Sequence, residues 1–321
     1  MKKILPVVLS VSLAIACIVL GFVKGVTLEP IQRKTLNILG IICASSMAYC
    51  FIVGEISRNN SQMDKLWSIL PIAYVWVVAA LGNFNFRLII IAIIVTLWGF
   101  RLTYNFAKKG AYSIKFWTGE EDYRWVYLRG QKPFNNKLVW GIFDLGFISI
   151  WQNIVVLGIT LPAVAIMTSP VKFNALDVVA AVLMFGALLY EVIADRQQNN
   201  FQTKKYEYLN SGMKLEDLPE PYNRGFNVTG LWARSRHPNY IGEQLIWVGL
   251  YLFAISGGAA HFGVFNWTIT GVMLLILIFV GSSRMAEGIS VKKYPEYPEY
   301  QKQVFRYLPL RKYKGHTEKQ N

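Results

Sequence analysis

The residues best suited to chemistry fall in one stretch, Trp232-Ala-Arg234-Ser-Arg236-His237-Pro238-Asn239-Tyr240-Ile-Gly242-Glu243, which opens an apolar run. Pro238 suits the first position of a helix and His237 its cap, so the unbonded N–H groups of a helix start lie beside two arginines. Such an end attracts phosphate or carboxylate. Asn239 and Glu243 are four apart and share a helix face, while Gly242 beside them admits a second backbone or a ligand. A carboxylate one turn inside a membrane helix is costly without a partner, which makes Glu243 a functional candidate. A plainer role, an interfacial anchor against lipid headgroups, accounts for Arg234, Arg236 and Tyr240 but not for Asn239 with Glu243.

Two more clusters follow the same logic. Glu191, Asp195 and Gln198 recur at helical spacing and line one stripe at the end of the preceding apolar run, where a solvated helix end paired with Arg196 is the simpler reading. Arg284-Met-Ala-Glu287-Gly288 leaves the last apolar run ahead of Lys292, Lys293 and the tyrosines Tyr294, Tyr297 and Tyr300, a pattern that a basic juxtamembrane tail also explains. If the three ends lie on one side of a membrane, they converge on a site for an anionic ligand. Upstream, Glu120-Glu121-Asp122-Tyr123-Arg124-Trp125 crowds another polar segment. Asp144 and Trp151-Gln152-Asn153 put polar atoms inside a span, where they more often bond between helices than catalyse.

Apolar runs must carry these residues. The 321-residue chain is 54% hydrophobic and only 16% charged, whereas about a quarter of the residues in soluble domains are charged. Runs near 4–23, 36–54, 66–81, 88–104, 139–167, 177–194, 240–257 and 267–282 approach the roughly 20 residues that a bilayer requires. The expected fold is an all-α polytopic transmembrane bundle of about eight spans. The first run is read as a span, because no small-residue cleavage site ends it as a signal peptide would require. Pro162 is expected to kink or end the long fifth run. With the N-terminus inside, all but five of the 33 Lys and Arg (Lys24, Arg33, Lys34, Arg87 and Lys172) fall on the inner side. Both termini are therefore expected in the cytoplasm. The segments 105–138 and 195–239 then become long cytoplasmic loops, expected to fold onto the membrane face.

The net charge of +14 is explained by that topology rather than by nucleic acid. Cys17, Cys43 and Cys50 all lie in apolar runs without ligand spacing, so neither disulfides nor a metal site is expected. No glycine-rich nucleotide loop or GxSxG elbow is present. Asn227-Val-Thr229 fits a glycosylation pattern but falls on the cytoplasmic side.

Arg236-His-Pro-Asn-Tyr-Ile-Gly-Glu243, the Glu191-x-x-x-Asp195 helix end, and the Arg284 exit with its Tyr-rich tail to Leu308-Pro309 resemble the C-terminal half of steroid 5-alpha-reductases. A broad membrane branch of that family is closer, through Glu121-Asp-Tyr-Arg-Trp125 and Asp64-x-x-Trp67-Ser-Ile-Leu-Pro71. The resemblance implies NADPH-dependent reduction of a conjugated carbon–carbon double bond in a steroid- or lipid-like substrate, with substrate-side helices in 1–175 and a cofactor-binding half in 176–321. It implies cofactor contacts from Asp195, Arg224, Arg236, His237, Asn239, Tyr240, Glu243 and Arg284, with Arg224 or Arg236 near the 2′-phosphate. The family's steroid enzymes carry a Gln-Glu pair before Leu-Pro, where this chain has Ser68 and Ile69. Tyr123, Asp122 or Asp64 would then supply the carbonyl-polarising group. The Arg-His-Pro-x-Tyr-x-Gly pattern also resembles S-adenosylmethionine-dependent membrane methyltransferases, and a non-catalytic lipid or sterol binder is the third reading. Expected partners are membrane lipids and a hydrophobic substrate, in a bacterial inner membrane or the endoplasmic reticulum.

Overall fold

The computed structural model describes residues 28–259 and 264–315; the first apolar run, 4–23, lies outside them. The described residues contain helices and no β-strand. The helices are α1 (Pro30–Ser57), α2 (Gln62–Trp67), α3 (Leu70–Leu81), α4 (Phe86–Ala107), α5 (Tyr123–Arg129), α6 (Lys137–Phe143), α7 (Gln152–Ile166), α8 (Ala175–Asn210), α9 (Pro238–Ser256), α10 (Ile269–Lys293) and α11 (Tyr297–Gln303). Six are long and apolar enough to cross a membrane: α1, α2 with α3, α4, α6 through α7, α8 and α10. The run expected at 240–257 does form a helix, α9, but is not among the six. Asn239, Glu243 and Gln244 in its first two turns lower its mean hydropathy.

Local sequence sets the boundaries. Pro30 opens α1, where Glu29 and Gln32 bond reciprocally across the first turn. Asn85, Asp122 and Asn136 cap α4, α5 and α6 through side-chain oxygens. Two expectations need correcting. The long fifth run does not end at Pro162, which sits inside α7, and its α-helical pattern is interrupted instead by a π-helical stretch at Asp144–Trp151. The carbonyl that Pro162 leaves without its helical donor belongs to Gly158, where α10 approaches so closely that an added Cβ would lie 3.1 Å from Gly271 Cα. The other correction concerns residues 195–210, read as loop. They continue α8 for four more turns, since no Gly or Pro interrupts them before Gly212 and one face buries Phe201 and Lys205.

The chain forms two compact units, residues 1–182 with 247–275 and residues 183–246 with 276–321. In the first, α1, α3, α4 and α7 pack together, and Arg87 at the start of α4 forks onto Asp177 at the start of α8, Nε to Oδ1 at 2.8 Å and Nη2 to Oδ2 at 2.9 Å. In the second, the tail folds back into an aromatic core of Phe226, Tyr294, Tyr297, Tyr300 and Tyr313. Gly225 is required there: its φ is +79°, and a Cβ would collide with the Tyr294 ring.

Candidate functional site

The second unit holds all eight residues expected to bind cofactor. α9 begins at Pro238, and Ile241 N–H donates to His237 O at 3.3 Å, so the expected cap and first position both hold. The tail fixes this helix start. Arg236 N–H donates to Phe305 O at 3.1 Å and His237 N–H to Arg306 O at 3.0 Å, while the buried Tyr300 hydroxyl bonds to Trp232 O and Ser235 O.

A carboxylate on α10 gathers the rest. Glu287, 3% exposed, accepts from Arg236 Nε (2.9 Å) and Nη2 (3.2 Å), His237 Nε2 (3.1 Å), Gln301 Nε2 (3.0 Å), and Arg306 Nε (3.2 Å) and Nη2 (3.0 Å). Arg236 also donates Nη1 to Gln301 O and Val304 O. With every lone pair of Glu287 engaged, this is a clasp joining α9, α10 and the tail. Burial, only partly offset by the bond to Glu287, lowers the His237 pKa, so the ring sits neutral with its Nε2 hydrogen directed at the carboxylate. Its other face stacks on Tyr240, centroids 5.0 Å apart. Tyr240 in turn meets Phe279 at 4.6 Å.

One turn along α9 the arrangement changes. Gly242 is pressed against α8, an added Cβ lying 2.9 Å from Glu191 Cβ and 3.2 Å from Ala187 O. This contact brings the Asn239–Glu243 face and the Glu191–Gln198 stripe together. Glu191 and Glu243 are buried and bonded within the protein. Asn239 Oδ1 and Gln198 Oε1 are buried without a hydrogen-bond partner, as is Tyr190 Oη. Such orphans are rare enough in folded proteins to need an explanation, and a bound ligand is one. A cleft of about 420 Å³ opens on another face of α8, lined by Phe201, Lys204, Tyr222 and Thr229 among others, and none of the expected site residues lines it.

Arg224 belongs to neither arrangement. It bonds Glu296 at 2.6 Å, Glu220 at 3.3 Å and Tyr313 Oη at 3.1 Å, inside the tail core. Arg234 and Arg284 are exposed. The three expected clusters therefore do converge in this unit, although the arginines proposed for the 2′-phosphate, Arg224 and Arg236, are held by the protein's own carboxylates.

The residues expected to polarise a carbonyl lie together in the first unit. Asp64 accepts from Trp125 Nε1 at 2.6 Å and Arg124 Nη2 at 3.3 Å. Asp122 caps α5 and holds Arg124 Nε at 2.7 Å, and its N–H donates to Ser61 Oγ at 2.9 Å. Burial alone would raise the Asp122 carboxyl, yet Arg124 beside it keeps it below the usual carboxylate range. In the hydrogen bonds they make with Arg124 and Trp125, both aspartates are acceptors. Tyr123 is 57% exposed. Beneath them Lys65, fully buried, donates to Phe116 O at 2.8 Å and Thr118 O at 2.7 Å and closes the 112–118 loop.

Residues 50–304 match a family described as protein of unknown function DUF1295. This chain belongs to that family. The uncharacterized protein C594.04c of Schizosaccharomyces pombe is 37% identical over 279 residues, covering 81% of this chain and 77% of that one. No solved structure matches the chain. The DUF1295 match takes in the Asp64–Asp122 cluster, the α8–α9 face and Glu287, and stops short of Arg306. Glu287, expected only as part of the exit after Arg284, proves to be the carboxylate that holds Arg236 and His237, and the reasoning that drew attention to Glu243, a carboxylate inside an apolar helix, applies to it equally.

Proposed function

We propose that this DUF1295 protein is an NADPH-dependent reductase of a conjugated carbon–carbon double bond in a hydrophobic, steroid- or lipid-like molecule. The observation that carries the reading is the α8–α9 face, where Gln198 and Asn239 present buried polar atoms that no protein group satisfies. A cofactor with many donors and acceptors would satisfy them, with Asp195, Tyr240 and Glu243 around it and the α9 N-terminus favouring its phosphates. Since Arg224 and Arg236 are engaged by Glu296 and Glu287, the exposed Arg234 and Arg284 are the better partners for a 2′-phosphate.

When bound, NADPH would supply the hydride; everything else falls to the chain. His237, held by the clasp, orients Tyr240 through its stack. The apolar helices would admit a lipid-like substrate, and Tyr123 carries the one hydroxyl among the three expected polarising residues. Isothermal titration of the detergent-purified protein with NADPH, NADH and S-adenosylmethionine tests the reading. NADPH should bind about tenfold to a hundredfold more tightly than NADH, the worth of one charge-assisted contact. Tighter binding of S-adenosylmethionine would replace reduction with methyl transfer, and binding of none would favour a lipid binder.

A further inference from the structure

In the first unit, the loop between α4 and α5 doubles back on the helices, and side chains from the α1–α2 corner grip its backbone. Asn59 Nδ2 donates to Gly119 O at 2.9 Å, Gln62 Nε2 to Trp117 O at 3.0 Å, and Lys65 Nζ to Phe116 O at 2.8 Å and Thr118 O at 2.7 Å. In return Tyr112 Oη donates to Lys65 O at 2.9 Å. The tip is closed on itself: Thr118 N–H and Oγ1 both donate to Lys115 O at 2.8 Å, and Ser113 Oγ lies 2.6 Å from Thr118 Oγ1. A loop pinned through its carbonyls keeps its shape, yet this one leaves its tip bare. Ile114 is fully exposed and Trp117 is 48% exposed, with the exposed Lys115 between them.

The depth of the loop says what covers that tip. Phe116 meets Tyr49 of α1 with ring centroids 6.5 Å apart, and the aromatic chain continues through Tyr112 at 5.7 Å to Phe106 of α4 at 5.9 Å. Tyr49 lies about 12 Å before the Ser57 end of α1, at 1.5 Å per residue. α1 is long and apolar enough to span, and past Tyr49 its surface stays apolar, with Ile52 54% and Ile56 79% exposed. The hydrocarbon boundary therefore falls beyond Tyr49, and the loop packed beside it sits at membrane depth. At the same end of α4, Lys108 lies over the ring of the exposed Tyr104 at 4.5 Å, an aromatic-belt residue paired with a snorkelling lysine. Charge agrees with this placement. Residues 108–120 hold Lys108, Lys109 and Lys115 against one acid, Glu120, which packs on Gly110 at the base of the loop. Lys115 makes no ion pair among the described residues.

We infer that residues 112–118 form a re-entrant hook that seats in the bilayer interface and holds anionic phospholipid. Ile114 enters the edge of the hydrocarbon, Trp117 lies at headgroup level, and Lys108 and Lys115 take the headgroup charge. Each side chain suits that place: an aliphatic group gains by leaving water, an indole has an apolar body and a polar edge, and an ammonium is drawn to anionic lipid. Because Asn59, Gln62 and Lys65 order the loop in advance, lipid binding loses little conformational entropy.

Two measurements on the full chain in bilayer nanodiscs test the hook. In the first, Ile114→Cys carries a nitrobenzoxadiazole fluorophore, and the parent treated likewise supplies the background from its native cysteines. Nitroxide groups placed on the acyl chains just below the headgroups should quench the probe, and aqueous iodide should not. Quenching by iodide alone would put the tip in water, leave it to a soluble partner and overturn the hook. In the second, electron spin resonance compares spin-labelled phosphatidylglycerol with spin-labelled phosphatidylcholine around the protein. The parent should prefer phosphatidylglycerol, and Lys108→Ala and Lys115→Ala should each weaken that preference by about fivefold. Both positions are exposed, so the double variant should unfold at the parent's temperature. An unchanged preference in the folded double variant would overturn headgroup recognition by these lysines.

Discussion

Arg236-His237 and Asn239-Glu243 belong to one unbroken motif, yet they do opposite things. The first pair is locked into Glu287, whose oxygens accept six hydrogen bonds. The second lies on a face where Asn239 Oδ1 and, across Gly242, Gln198 Oε1 have no partner in the protein. A saturated buried cluster has nothing left to offer a ligand and serves the fold. An unsaturated one carries a penalty that a ligand can remove. Adjacent positions on a helix can therefore differ in function, and the difference shows in the hydrogen-bond inventory rather than in residue type.

The largest expected effect tests the clasp. Glu287→Ala leaves Arg236 buried without its carboxylate, and stranding a buried charge costs about 3–5 kcal/mol. Thermal unfolding in detergent, followed by tryptophan fluorescence, should move down sharply. A variant that keeps its melting temperature but loses only NADPH would show that the clasp is a ligand site and erase the contrast.

Asn239→Ala should do the reverse. Because its Oδ1 is already unpartnered, the melting temperature should hardly change. NADPH affinity should fall about twofold to tenfold, the worth of one neutral hydrogen bond. Unfolding with unchanged affinity would make Asn239 structural.

The smallest effect is in pH. Burial lowers the His237 pKa in the folded protein, so at acid pH the unfolded chain takes up a proton that the folded one resists. The sign is fixed by linkage: this contribution is intact above the unfolded value of about 6.5 and is lost progressively as pH falls from there toward the folded pKa. Melting temperatures between pH 8 and pH 5 should decline, and His237→Gln should flatten the slope. An unchanged slope would place the titration elsewhere.

Much of this was legible in the chain. Residues 28–259 and 264–315 hold the helices that the apolar runs announced, and Pro238 opens α9 where the motif put it. The match to DUF1295 from residue 50 to 304 covers the same motifs. Apolar length and capping chemistry act over a few residues, so sequence by itself determined an all-helical, membrane-type fold and the start of α9. The polar end of α8 was misread because Arg196 to Asn210 looks like a loop on hydropathy alone, although its residues are competent helix formers that bury Phe201 and Lys205. Pairing was not legible either. Arg236 meets Glu287 across 51 positions, Asn60 meets Asp144 across 84, and Arg87 meets Asp177 across 90. Nothing local distinguishes an arginine that will be neutralised at such range from one left for a ligand. Only the tertiary structure decided which charges closed on one another, because a side chain's remaining hydrogen-bonding capacity depends on every group the fold packs around it.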